Sequence, residues 1–214
     1  MDFEALDAID LALFREHLKD LLDGKLVHTP VFDFVTGTRR SEKHWNTLQL
    51  EENQILVIEG IHGLNEKLTN TVPRENKYRI FISALSQLSI DDHNRIFTSD
   101  GRLIRRIVRD NLFRGFNAER TLGLWERVRR GEGRWIFPFQ EQADVMFNSA
   151  LPYEQAVLKT YAERFLLQVP RTSAAYPEAF RLLKFLSMFV PIFPDEVPYT
   201  SILREFIGGS IFDY

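Results

Sequence analysis

Eleven arginines and no lysine fall between Arg95 and Arg134. Five acids accompany them, a surplus of six positive charges, and with −3 on the whole chain the remainder carries −9. A guanidinium is a planar fork that matches phosphate oxygens in pairs, which a lysine ammonium cannot do. Arg102, Arg105, Arg106 and Arg109 recur at helical spacing, with Arg114 just beyond. Such a set can clamp the phosphates of a nucleotide and stabilise charge in phosphoryl transfer. It can equally be a solvated helix face, ion-paired to Asp110 and Glu119. The local surplus favours an anionic partner.

A second candidate is Glu59. It follows the apolar run Ile55-Leu56-Val57-Ile58 and precedes Gly60. A carboxylate just past a buried strand can face a magnesium ion, which prefers hard oxygen ligands. It can also cap the next helix or pair with an arginine. Phe32 and Phe34 flank Asp33 on a short extended segment. Rings on a strand edge can stack on a base, or they can be core; Asp33 can meet a sugar hydroxyl or hold a turn. The five histidines are scattered, without H-E-x-x-H spacing.

Phosphate chemistry usually needs a glycine-rich cradle. Neither G-x-x-x-x-G-K-[ST] nor G-x-G-x-x-G occurs in these 214 residues. There is no cysteine, so neither a disulfide framework nor a thiolate metal site is available. No apolar run has the length of a membrane span. The opening decapeptide is acidic, unlike a secretory signal. The expectation is a cytoplasmic protein with no membrane partner.

The elements that must carry these residues follow from periodicity. Leu11, Phe14, Leu18 and Leu21 predict an amphipathic helix ending at Gly24. Residues 29–39 read as a short strand or extended segment turning at Gly37. Residues 54–58 are predicted to be a buried strand, apolar on both faces. A short helix follows at 65–72 and a strand at 78–85. The arginines lie on a helix over 100–115, with Leu103, Ile104, Ile107, Val108 and Leu112 on its apolar side. A further helix starts at 118 and is expected to break at Gly131 and Gly133. A third strand at 143–150 and a helix at 152–169 complete the alternation of an α/β sheet with mostly parallel strands. Beyond Pro170 the chain becomes helical and apolar. It ends in a helix before Gly208-Gly209.

Five stretches, "DFEALDAIDLALFREHLKDLLDGK", "TPVFDFVTGTR", "ILVIEGIHGL", "RLIRRIVRDNLFRG" and "ADVMFNSA", resemble the uridine kinase and phosphoribulokinase family of P-loop kinases. "RRGEGRWIFPFQEQADVMFNSA" and "SILREFIGGS" look like a bacterial subgroup in which such a kinase follows a region similar to the N-terminal part of threonyl-tRNA synthetase. The resemblance implies a P-loop-kinase-like three-layer parallel sheet, with its N-terminal strand–P-loop–helix missing here. The implied core is 1–169, with a helical extension over 170–214.

The resemblance further implies transfer of a phosphoryl group from ATP, with magnesium, to a hydroxyl of a nucleoside-like molecule. Phe32 and Phe34 then contact the base and Glu4 the ribose. Glu59 serves magnesium, and Arg106, Arg109 and Arg114 serve the phosphates and the mobile lid. Arg105 is assigned to the nucleotide cofactor. Two positions depart from the pattern. Gly37 stands where uridine kinases carry a pyrimidine-reading histidine, and Phe116 replaces the second arginine of the lid's R-G-R. The family's P-loop and catalytic Asp precede the segment that matches Met1 onward. The expectation is therefore no turnover by these residues alone, as a piece of a longer kinase or as a relative completed by a partner or by self-association. Two non-enzymatic readings stand beside it. One is RNA or polyanion binding through the arginine helix; the other is a structural pseudokinase forming a homo-oligomer through its apolar C-terminal helices.

Overall fold

The structure, a computed structural model, describes residues 5–33 and 36–212. Glu4 and Phe34 lie outside the described residues. The fold is mixed α/β, as expected. By internal contacts the chain divides into two compact units: Met1–Phe81 with Gly131–Val145, and Ile82–Arg130 with Met146–Tyr214. Among the described residues no helix is long and apolar enough to cross a membrane.

The first unit opens with helix α1 (Leu11–Leu22). Asp10 caps it, accepting from the Leu13 amide at 3.1 Å, which satisfies one of the amides that a helix start leaves open. Leu18 and Leu21 form its buried face. Strands β1 (Val27–Thr29) and β4 (Asn46–Leu48) pair antiparallel, with Val27 opposite Leu48. Between them β2 (Phe32–Asp33) and β3 (Thr38–Arg39) form a second antiparallel pair, and Gly37 takes the left-handed φ of 67° ahead of β3. The turn expected at Gly37 is present, for the reason glycine is used there. Helix α2 (Glu66–Thr69) is capped by Asn65.

The strand predicted at 54–58 does not form. The segment has no regular structure, Ile55 is 88% exposed and Val57 83%. A strand exists only through its neighbour's hydrogen bonds. Among the described residues no strand pairs with this one. An all-apolar run is a local signal for burial, but it cannot supply the layer that would bury it.

Strands β5 (Ile80–Ser83) and β6 (Val145–Asn148) each begin in the first unit and end in the second. They run parallel: the Asp144 amide donates to the Arg79 carbonyl at 2.8 Å, and further along the Ser149 amide donates to the Ser83 carbonyl at 2.9 Å. A parallel pair needs a long crossover. Helices α3 (Thr98–Phe113) and α4 (Ala118–Trp135) supply it. Helix α4 runs through Gly131 and Gly133, contrary to the expected break, and the Ile136 amide still reaches the Glu132 carbonyl at 3.0 Å. Glycine inside a helix costs about 1 kcal/mol relative to alanine, too little to end a helix whose hydrogen bonds continue.

The second unit holds the main core. Leu103, Ile104, Ile107 and Val108 of α3 are fully buried against Val157, Leu158 and Phe165 of α5 (Glu154–Leu167). Helix α6 (Tyr176–Leu186) adds Leu182 and Leu186, and α7 (Arg204–Ile207), a single turn, adds Phe206 and Ile207. Each buried aliphatic side chain contributes about 1.5–3 kcal/mol. Gly101 has a packing reason: a Cβ there would sit 2.9 Å from the Gln155 side chain. Arg181 of α6 ties the start of α3 down, donating to both Asp100 oxygens at 2.8 Å.

Candidate functional site

Helix α3 sorts its arginines by the side of the helix on which they emerge. Its apolar stripe faces the core, and Arg105 comes out beside that stripe. Its guanidinium is buried and donates to Glu154 at 2.5 Å and to the Ser149 carbonyl at 2.7 Å. Arg105 is thereby committed to holding α5 and the end of β6 against α3.

Arg106, Arg109 and Arg114 form a separate group, and Asp110 organises it. Asp110 is 1% exposed. One of its oxygens accepts from Arg106 Nε at 3.3 Å and from the Thr121 hydroxyl at 3.1 Å, the other from Arg114 Nη1 at 3.4 Å. Both arginines stand four residues from Asp110, one turn to either side, where helix neighbours meet. The backbone helps as well: the Asp110 carbonyl accepts from the Arg114 and Phe116 amides, and Gly115 closes the helix at φ 67°. Arg109 donates from Nη1 to Glu205 of α7 at 3.0 Å, and its guanidinium lies 5.8 Å from the centre of the Phe206 ring.

The electrostatics show that the three charges feel one another. Partial burial lowers the pKa of Arg114, and the like charges of Arg109 and Arg106 add to that effect against the pull of Asp110. Arg114 has a side chain 49% exposed, while Arg106 and Arg109 are about half as open. One buried carboxylate thus fixes two guanidiniums and, among the described residues, leaves most of their donors unused. That is the arrangement a preformed anion site requires.

Other predicted residues lie in the first unit. Phe32 is 46% exposed on β2, with Arg39 opposite it in the ladder. Asp33 accepts from the Thr36 amide at 3.2 Å and lies 3.4 Å from Arg40 Nε, a turn-holding role. A polar groove of about 300 Å³ opens beside this hairpin, lined by Asp33, Thr36, Thr38, Arg40, Ser41 and His44. Glu59 is exposed on the irregular segment. Among the described residues no group of three or more His, Asp or Glu side chains could hold a metal. A single exposed carboxylate fits only an ion that keeps several of its waters, as magnesium does.

The sequence pointed to Asp110 as an ion-pair partner, and it is one. Thr121, Glu205 and Phe206 were not singled out. Thr121 is eleven residues from Asp110 and Glu205 is 96 from Arg109, and no local pattern marks either. At Phe116, where the lid pattern would carry an arginine, the ring instead receives the Arg120 guanidinium at 3.7 Å from its centre.

Comparison with known proteins bears on the same segments. The model of the Phosphoribulokinase / Uridine kinase family matches residues 1–154. Uridine kinase of Borrelia turicatae is 30% identical over 148 residues, covering 68% of this chain and 62% of that protein. Uridine kinase of Lactobacillus johnsonii is 31% identical over 147 residues, covering 68% and 60%. That of Mycoplasma genitalium is 30% identical over 129 residues, covering 60% and 50%. The chain therefore spans less than two thirds of the length of these relatives.

Proposed function

The chain belongs to the phosphoribulokinase and uridine kinase family, and from that premise we propose that it is the acceptor- and phosphate-handling part of an ATP-dependent kinase acting on a nucleoside-type hydroxyl in the cytoplasm. The observation that carries this reading is the group of Arg106, Arg109 and Arg114 around buried Asp110. Phosphoryl transfer offers a protein little covalent chemistry, so positioning and charge stabilisation dominate. Guanidiniums held in place before the anion arrives perform that task without reorganisation.

In this reading Arg106, Arg109 and Arg114 bind the phosphate oxygens. Phe32 and Phe34 hold the base of the acceptor and Glu4 its ribose. Glu59 is the residue that would hold a hydrated magnesium ion, which when bound would supply charge neutralisation to the phosphates. Arg105 leaves the cofactor role, because its fork is engaged by Glu154 and Ser149. No phosphate-cradle motif occurs in the 214 residues, so the chain by itself binds anions and turns over no ATP.

Two measurements test this. Calorimetry with inorganic pyrophosphate at low salt is expected to show binding that is lost in Arg106→Ala and in Arg109→Ala. Magnesium-dependent phosphorylation of a nucleoside by the purified chain is expected to be absent; its detection would sink the inactive reading. A second reading is favoured by one feature of α4, where Arg129 and Arg130 are both exposed: RNA binding along that helix. A salt-steep RNA shift lost in Arg129→Ala/Arg130→Ala but kept in Arg106→Ala supports it.

A further inference from the structure

Residues 155–214 lie beyond the family match, yet they reach the arginine group. Helix α7 is firmly seated. Leu203 is fully buried, Phe206 and Ile207 are buried, and the Arg204 guanidinium donates to the carbonyls of Pro194 at 2.8 Å, Val197 at 2.5 Å and Gly208 at 3.2 Å. This scaffold presents the Glu205 carboxylate to Arg109 Nη1 at 3.0 Å. Three guanidiniums (Arg106, Arg109, Arg114) then face two carboxylates, Asp110 and Glu205. Asp110 is buried beneath the group, whereas the Glu205 side chain is 33% exposed and so stands where an incoming anion would approach.

We infer that Glu205 is an internal counter-anion that sets how tightly the arginine group holds an anionic ligand. The inference rests on the phosphate-binding reading of that group. The physical reason is direct. A fixed negative charge beside Arg109 engages one of its donors and repels a phosphate that comes to the others. It lowers affinity in the resting state and leaves the site able to release a charged product. Because α7 is anchored by its neighbours, its backbone keeps Glu205 next to Arg109 whether or not a ligand is present. The carboxylate acts as a constant opposing charge.

The test separates charge from position. Glu205→Gln keeps an acceptor oxygen for Arg109 Nη1 and removes only the charge. Titrated with inorganic pyrophosphate by calorimetry at low salt, Glu205→Gln is expected to bind about three- to tenfold more tightly than the unmodified chain. The gain should shrink as salt is raised toward 0.5 M, because screening weakens the interaction that was removed. Glu178→Gln changes the net charge equally but lies on α6, paired with Arg181, and is expected to leave affinity unchanged. Unchanged or weaker binding by Glu205→Gln, or an equal gain in Glu178→Gln, overturns the inference while leaving the phosphate-binding reading in place. No pyrophosphate binding by the unmodified chain at low salt overturns both.

Discussion

Arg105 and Glu154 form a buried ion pair across 49 residues of sequence, with Nη2 2.5 Å from the carboxylate and both side chains less than a tenth exposed. Neither partner has water to fall back on. The same Glu154 oxygen accepts from the Leu151 amide at 2.9 Å, and the same Arg105 nitrogen holds the Ser149 carbonyl. Glu154→Ala leaves a buried guanidinium uncompensated and is expected to cost about 3–5 kcal/mol, read as a lower urea midpoint. Arg105→Met/Glu154→Leu removes both charges and should recover most of that loss. Pyrophosphate affinity of this double variant should stay close to that of the unmodified chain, since the Arg105 guanidinium is buried and engaged by Glu154 and the Ser149 carbonyl.

Asp110 carries a heavier load than any of its partners. Asp110→Ala removes an acceptor shared by Arg106, Arg114 and Thr121 and leaves like charges facing one another. The expected cost is about 2–4 kcal/mol. Thr121→Val removes one hydroxyl donor and should cost about 1 kcal/mol. Denaturant melts of the two variants check the order. Equal costs would show that Asp110 is not the hub.

The apolar run at 55–58 behaves as surface in the structure. Val57→Lys is expected to change unfolding free energy by less than about 0.5 kcal/mol. Ile104→Ala, at a fully buried position of α3, is expected to lose about 2–5 kcal/mol. Val57→Lys should also lower aggregation at high concentration, read by light scattering, because it breaks an exposed apolar segment.

Acid stability draws on carboxyls held below their ordinary values, Asp144 and Glu178 among them. The Arg79 amide, aided by the Arg74 guanidinium, lowers Asp144; hydrogen bonds from Arg181 lower Glu178. The folded pKa lies below the unfolded one in both, so the unfolded chain takes up protons first as pH falls. Their contribution is complete above the ordinary values, 4.5 for Glu178 and 3.8 for Asp144. It is lost as pH drops through the folded pKa. Stability should thus begin to decline just below pH 4.5 and fall further below 3.8. In Glu178→Gln/Asp144→Asn the unmodified chain's excess stability at pH 6 should narrow on titration to pH 3, followed by thermal melts.

What the sequence by itself determined is what depends on neighbours within a turn. The apolar period of α1 and α3 placed both helices, because each face is set by residues three and four apart. The Arg106–Asp110–Arg114 spacing put two guanidiniums within reach of one carboxylate for the same reason. Gly37 and Gly24 were legible as turn and stop through their backbone freedom. The tertiary structure decided the rest, because the rest depends on partners distant in sequence. Residues 54–58 carry every local mark of a buried strand and remain open, since strand pairing is a property of two segments. Arg105 and Arg106 are adjacent and chemically identical, yet one is sealed against Glu154 and the other faces the anion group. Only the packing of α5 on α3 separates them. Glu205 reaches Arg109 from 96 residues away, and only the seating of α7 brings that charge to the site.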